Sequence, residues 1–212
     1  MTRLTEKLLL MSPDRIFSAA DLANLVPASA DTRHSLLKRA LAAGELVRIR
    51  RGLYVLSVQL RRQPLDPFCL AQRIFGPSYV SMESALAFHG WIPEAVYATT
   101  SVCLKKSRSY DTPFGFFQYS SIPQRVLFAG VARLVSGTGE VFFMASPIKA
   151  LADYVHIREM TWAGLASLVE NLRIDSDAFA SLVAEDFEVV ASNSTSARVR
   201  MFLTSMRKEL GL

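Results

Sequence analysis

The side chains of this sequence that could bind another molecule are mainly cationic, and they cluster in two neighbouring segments. They are Arg33, Lys38 and Arg39 in a segment of helical pattern, followed by Arg48, Arg50 and Arg51 in an extended segment. Guanidinium and ammonium groups neutralise phosphates, and arginine can also bond the edge of a guanine base. The clustering therefore predicts a surface that binds nucleic acid. The competing interpretation is a solvated, arginine-rich surface without a ligand.

The spacing in the helical segment separates two roles. Leu36, Leu37, Ala40 and Leu41 form an apolar stripe, which leaves the polar side chains on the other faces. The candidates for contacts with base edges are Arg33, Ser35 and Arg39. The candidates for phosphate contacts are Thr32, Lys38, Arg48, Arg50 and Arg51. His34 either contacts DNA or packs at the edge of the helix.

A second cationic cluster lies much later in the chain. Lys105, Lys106 and Arg108 follow a segment of strand pattern, with Ser107 between them. One interpretation is an exposed loop after a strand. The other is a second contact with a polyanion, and the sequence favours neither of the two.

The sequence predicts neither catalysis nor a metal or cofactor site. The three histidines, His34, His89 and His156, are far apart and show no metal-binding spacing. Glu83 and Asp153 are the carboxylates expected to face the interior, each on an apolar helix. They are not part of an acidic cluster that could hold a metal ion, so we expect structural roles for both and a protein that is not an enzyme.

Composition and cysteine usage narrow the class of protein. Half of the 212 residues are hydrophobic, which excludes a disordered chain. The longest segment without a charged residue, 112–124, is too short and polar to span a membrane. The two cysteines show no paired spacing, and the first residues do not resemble a secretion signal. We therefore expect a cytoplasmic protein with no membrane partner.

The elements that must position the first cationic cluster indicate a winged helix-turn-helix domain over residues 1–60. Residues 1–62 hold eleven lysines and arginines against five acids, a charge of +6, whereas the remainder carries −1. A first helix is broken at 12–14, Ser18 caps a second helix over 19–26, and Ser29 or Asp31 caps a third that ends near residue 43. Two strands around a turn at 51–52 then form a basic hairpin, the wing.

The rest of the chain predicts a linker over 61–67 and a mixed α+β domain over 68–212. Strands are expected at the centre of this domain and helices towards its end, which is typical of α+β proteins rather than of a doubly wound sheet. The expected strands are 79–80, 95–104, a pair within 110–121, 126–135 and 140–145. The expected helices are 68–75, 82–89 capped by Ser81, 147–156, 162–172, 177–184 and 196–210.

Several of these segments, taken in order, resemble the AbiEi-type antitoxins of abortive-infection toxin–antitoxin systems. The resemblance covers most of the chain except its last fifty residues. The segments are 47–54 (VRIRRGLY), 79–86 (YVSMESAL), 89–90 (HG), 92–94 (IPE), 100–102 (TSV), 112–115 (TPFG) and 145–153 (ASPIKALAD).

This resemblance implies a bacterial antitoxin of a type IV system. Its winged helix would repress the promoter of its own operon by binding inverted repeats in double-stranded DNA, as a monomer or a dimer. Its C-terminal domain would counter a nucleotidyltransferase-like toxin, without needing a stable complex. Two alternatives remain open at this stage. One is a stand-alone regulator whose C-terminal domain senses a ligand through aromatic residues such as Phe114, Phe116, Phe117 and Tyr119, and the other is a nucleic-acid-processing enzyme.

Overall fold

The computed structural model describes residues 1–11, 16–93 and 97–212. The first helix, α1 (Arg3–Met11), buries Leu4 and Leu8, as their spacing of four predicts. The expected helix break at 12–14 lies outside the described residues. So do position 94 of the 92–94 motif and the first two positions of the strand expected at 95–104.

Two helices follow, and capping residues that the sequence shows directly fix their starts. In α2 (Ala19–Leu25) the backbone N–H and hydroxyl of Ser18 both donate to the Asp21 carboxylate, and the Asp21 N–H donates to the Ser18 hydroxyl. This reciprocal capping box satisfies N–H groups that have no partner inside the helix. In α3 (Ala30–Ala42) the Ser29 hydroxyl accepts a first-turn N–H. The prediction of both helices is confirmed, and Ser29 rather than Asp31 is the cap.

A small antiparallel sheet completes the N-terminal region. Its strands are β1 (Phe17–Ser18), β2 (Leu46–Arg50) and β3 (Leu53–Leu56), in the order β1-β3-β2. The hairpin between β2 and β3 turns at 51–52, where Gly52 has a φ of +79° that favours glycine. The predicted hairpin is therefore confirmed.

A carboxylate at the start of the hairpin holds the beginning of α1. The Glu45 carboxylate accepts hydrogen bonds from the hydroxyls of Thr5 and Thr2, both at 2.7 Å, and from the Thr2 backbone N–H at 2.8 Å. The amino terminus lies 3.5 Å away. The Thr5 hydroxyl, then Thr2, lower the Glu45 pKa from 4.5 to about 2, because they stabilise the charged form.

The lowered pKa of Glu45 predicts how the stability of the fold depends on pH. The folded-state pKa is lowered, so the contribution of Glu45 is fully present above pH 4.5 and is lost as the pH falls towards 2. Glu45→Gln is expected to lower the melting temperature at pH 7, and the difference from wild type should shrink below pH 4.5. Thermal unfolding from pH 7 to pH 2.5 measures this difference, with the exposed Glu6→Gln as control. A difference that does not change with pH would contradict the prediction.

The body of the protein is built on a six-stranded mixed sheet. Its strands are β4 (Ser78–Val80), β5 (Ala98–Cys103), β6 (Arg108–Thr112), β7 (Gly115–Ser121), β8 (Val131–Val135) and β9 (Val141–Ala145). Their order is β6-β7-β5-β4-β9-β8, with β4 parallel to β9 and β5 parallel to β7. The other neighbours are antiparallel.

Helices precede, interrupt and follow this sheet, so the predicted mixed α+β class is confirmed. They are α4 (Pro67–Ile74), α5 (Met82–Phe88), α6 (Pro147–Ile157), α7 (Leu165–Leu172), α8 (Ala184–Asn193) and α9 (Ala197–Glu209), with a 3₁₀ helix at Ser176–Ser181. Ser146 caps α6 and Ser196 caps α9, each through its hydroxyl. In the part of the chain that the structure describes, none of the helices is long and apolar enough to cross a membrane.

Three local predictions for the body are wrong. The expected helix at 177–184 is the short 3₁₀ helix, and α8 was not expected, because Val183 at its start is not a typical capping residue. The strand expected at 126–135 begins only at Val131, since the side chain of Asn193 bonds the N–H and C=O of Val126. Ser81 stands at the start of α5 but makes no capping bond.

The hairpin and the body share one apolar core. Leu46, Tyr54 and Leu56 pack with the N-terminal helices. The other apolar residues of the hairpin, Ile49, Leu53 and Val55, join the core of the body. Because β3 is buried on both faces, the hairpin is fixed against the body rather than projecting freely from the helices.

Candidate functional site

The outward face of α3 carries the polar residues that the sequence singles out. Ala40 is fully buried and marks the inner face of the helix. The exposed candidates on the other faces are Thr32, His34, Ser35, Lys38 and Arg39. His34 is thus solvent-accessible rather than packed, which leaves it available to a ligand.

Arg33 differs from the other candidates on α3. Its guanidinium turns back and donates a hydrogen bond to the carbonyl of Ala28, in the loop before the helix, and the residue is half-buried. Six residues later, the Arg39 side chain stays exposed, with only a 3.4 Å contact between its Nε and the Ser35 carbonyl oxygen. Ser35 and Arg39 are therefore better placed than Arg33 to contact bases.

The hairpin presents two of its three arginines to solvent. Arg48 and Arg51 are exposed, and the Arg48 guanidinium lies 5.9 Å from the centre of the Tyr54 ring. Stacking on an aromatic ring restrains an arginine while leaving its N–H groups free to donate. Both residues can therefore contact a phosphate without rearrangement.

Arg50 does not project from the hairpin as the sequence led us to expect. Its Nε donates to the Ile74 carbonyl at 2.7 Å, one Nη donates to the Arg51 carbonyl at 3.0 Å, and the guanidinium lies 5.8 Å from the centre of the Tyr110 ring. Arg50 turns inward because the hairpin packs on the body. This packing places the last residue of β2 beside α4 and β6. Arg50 thus holds the hairpin in place.

Residues 74–76, at the end of α4, also anchor the second cationic cluster. The Lys105 ammonium donates to the Gly76 carbonyl at 2.8 Å and lies 5.2 Å from the centre of the Phe75 ring. Lys106 and Arg108 are exposed. Because Arg50 bonds Ile74 and Lys105 bonds Gly76, two residues further on, the hairpin and the 105–108 loop flank one turn. The two clusters, separate in sequence, are neighbours in the fold.

Sequence reasoning missed two groups of cations. Arg73 donates to the Ile16 carbonyl at 3.1 Å and so ties α4 to the N-terminal region. Arg3 and Lys7 lie four residues apart on α1 and line the same cleft as Thr32. Their spacing on a predicted helix was the available signal, since residues at i and i+4 share a face.

Asp153 is the centre of a buried polar network in the body. The Lys149 ammonium donates to one carboxylate oxygen at 2.6 Å, and the hydroxyls of Tyr79 and Ser81 donate to the other at 2.9 and 2.7 Å. Burial, and then the charge of Asp153, raise the pKa of the Tyr79 phenol, so it remains a donor. Asp153 is 2 % exposed, so it faces the interior as the sequence predicts, and its charged partner is Lys149.

Glu83 and His89, which were also considered for catalysis, each bond a different protein partner. Glu83 pairs with Arg158 at 2.9 Å, and a ring nitrogen of His89 bonds the Ala145 carbonyl at 2.8 Å. Burial, and then Arg198, lower the pKa of His156, which favours its neutral form. Among the residues described, no group of three or more histidines, cysteines or acids could hold a metal ion.

The aromatic residues that suggested a ligand sensor lie in different places. Phe117 and Tyr119 are fully buried in the body core, where the Tyr119 phenol donates to the Ala71 carbonyl at 2.6 Å. Phe114 and Phe116 are half-buried, and the Arg61 guanidinium lies 5.5 Å from the centre of the Phe114 ring. Phe117 and Tyr119 therefore serve packing.

No protein-family model matches this chain, and no curated protein matches it significantly. Among the described residues, the feature whose chemistry points most clearly to a ligand is the cationic surface. It consists of the exposed face of α3, the hairpin residues Arg48 and Arg51, and the exposed Lys106 and Arg108 of the 105–108 loop.

Proposed function

We propose that this protein is a transcriptional repressor that binds double-stranded DNA through a winged helix. In this proposal α3 enters the major groove, and the β2–β3 hairpin is the wing that contacts the adjacent backbone. The observation that carries it is that α3 and the hairpin pack on the same apolar core while Arg39, Arg48 and Arg51 remain exposed on them. A helix fits the major groove, and arginines at its edge and on a wing contact bases and phosphates.

The DNA-binding surface extends, in this proposal, beyond the wing onto the body. Lys106 is exposed in the loop before β6 and Arg108 is exposed at the first position of β6, next to the turn at 74–76 that the hairpin also contacts. A continuous cationic surface can follow the DNA backbone, and phosphate contacts supply most of the sequence-independent affinity. Arg50 and Lys105 have structural contacts instead and orient the two parts.

The resemblance to AbiEi-type antitoxins gives the repressor a biological setting. We propose that it binds inverted repeats in the promoter of its own operon and that its body counters a nucleotidyltransferase-like toxin encoded beside it. The buried bonds around Asp153 support a structural role for this carboxylate. The antitoxin role requires such a neighbouring gene, whereas DNA binding does not.

The test of DNA binding is a gel-shift titration with the DNA immediately upstream of this gene and unrelated DNA as competitor. Wild type should form a complex that resists the competitor. Arg39→Ala should weaken binding to the upstream DNA by about 5- to 150-fold, because a bidentate arginine–guanine contact is worth roughly 1–3 kcal/mol of discrimination. Binding to the unrelated DNA should fall much less.

The matched control is Arg125→Ala, which removes an exposed arginine of the body. It should leave the preference for the upstream DNA unchanged. Wild-type binding that unrelated DNA removes completely would contradict the proposed function. An unchanged preference in Arg39→Ala would contradict only the assignment of this residue.

A further inference from the structure

A cleft of about 360 Å³ lies between α1 and the beginning of α3. Arg3, Leu4 and Lys7 of α1 and Thr32 and Leu36 of α3 line the cleft, together with the exposed Pro27 from the segment between α2 and α3. Leu4 is almost completely buried, so the floor of the cleft is apolar and its rim is cationic. This cleft borders α3 on the side that carries Thr32, one of the predicted DNA contacts.

The two cations of the rim have no protein partner in the part of the chain that is described. Other cations of this chain are engaged, for example Arg33 with the Ala28 carbonyl and Arg158 with Glu83. Arg3 and Lys7 form no such bond, although Lys7 is half-buried. Two like charges one helical turn apart repel each other, and an anion placed between them would relieve this repulsion.

The start of α1, which carries Arg3, is held in place by Glu45. Glu45 holds Thr2 and Thr5, the residues on either side of Arg3 and Leu4, through the three short hydrogen bonds described above. On the α3 side, Thr32 lies in the first turn of the helix, where the helix dipole favours negative charge. The Thr32 hydroxyl lies 2.9 Å from the Ser29 hydroxyl. The positive charge of the cleft therefore comes from Arg3 and Lys7 on the α1 side, and the α3 side contributes the polar Thr32.

We propose that this cleft binds the sugar–phosphate backbone of the DNA that α3 contacts, with Arg3 and Lys7 as phosphate ligands. The proposal rests on the proposed function. A DNA strand fits this chemistry because its phosphates carry the negative charge and its deoxyribose carbons can pack on Leu36 and Pro27, which are less buried. Binding here adds two phosphate contacts on α1 to those of the wing.

The test compares Arg3→Gln/Lys7→Gln with wild type in gel-shift titrations at 50, 100 and 200 mM salt. Each lost phosphate contact lowers the slope of log affinity against log salt by about 0.9, so the double variant should lose about 1.8. Lys7→Gln alone should lose about 0.9, which keeps the test valid if the double variant unfolds. Arg3→Lys/Lys7→Arg keeps both charges and should retain the wild-type slope.

The control for net charge is Arg133→Gln/Lys208→Gln, which removes two exposed cations from β8 and α9. If the slopes of Arg3→Gln/Lys7→Gln and of this control are equal, the cleft proposal is overturned while DNA binding stands. If in addition decanoate raises the melting temperature of wild type but not of Arg3→Gln/Lys7→Gln, the cleft binds a small amphipathic anion instead. Sequence-blind binding by wild type would overturn the proposed function and this inference with it.

Discussion

Replacing Asp153 with alanine is expected to lower the free energy of unfolding by about 3–5 kcal/mol, because it leaves a buried charge without its partner. The Lys149 ammonium is only 5 % exposed and donates to Asp153 at 2.6 Å. In the variant it would stay buried without a carboxylate, and the hydroxyls of Tyr79 and Ser81 would lose their acceptor. Unsatisfied buried donors add to the loss.

Chemical and thermal unfolding measure this loss. For a protein of this size, about 3–5 kcal/mol corresponds to a fall in melting temperature of roughly 6–20 °C. The matched control is Asp111→Ala at an exposed carboxylate of β6, which should change stability by less than about 0.5 kcal/mol. Lys149→Met/Asp153→Leu removes both charges and should recover a large part of the loss.

The double variant separates two explanations of the network. Recovery of stability in Lys149→Met/Asp153→Leu, with DNA binding intact, would confirm that the pair is structural. If instead Asp153→Ala is as stable as wild type but inactive in DNA binding or toxin control, the network would have a functional role. The structural explanation is favoured because Asp153 has donors on both carboxylate oxygens and is 2 % exposed.

Features that depend on neighbouring residues could be predicted from the sequence. The cap of α2 by Ser18 and the hairpin turn at 51–52 are local signals, and both predictions are confirmed. Ser146 followed by proline likewise marks the start of α6. Such elements are fixed by hydrogen bonds and backbone angles within a few residues, which a single sequence contains.

Features that depend on distant partners could not be predicted in the same way. Nothing near Arg50 in the sequence indicates the Ile74 carbonyl, which is 24 residues away. A usable signal was overlooked at 53–56 (LYVL), where a continuous apolar run indicates a strand buried on both faces, as β3 is. The spacing of Lys149 and Asp153, four residues apart on a predicted helix, also indicated their ion pair.

Removing the exposed cations of the hairpin and the 105–108 loop together is expected to have the largest effect on DNA binding. The variant is Arg48→Gln/Arg51→Gln/Lys106→Gln/Arg108→Gln, and all four side chains are exposed, so the fold should be retained. If each contacts one phosphate, the slope of log affinity against log salt falls by about 3.6. Between 50 and 200 mM salt, wild-type affinity should then fall about a hundredfold more than that of the variant.

Two half-variants test whether the hairpin and the loop contact the same DNA. Arg48→Gln/Arg51→Gln and Lys106→Gln/Arg108→Gln should each lower the slope by about 1.8. The control removes four exposed cations elsewhere on the body: Arg125, Arg133, Arg200 and Lys208. A slope change in the hairpin pair alone would limit the DNA contact to α3 and the hairpin. If a defined surface contacts DNA, removing its cations must change the slope more than removing cations elsewhere. Equal slope changes in the four-residue variant and the control would therefore mean that net charge alone, and not this surface, determines binding.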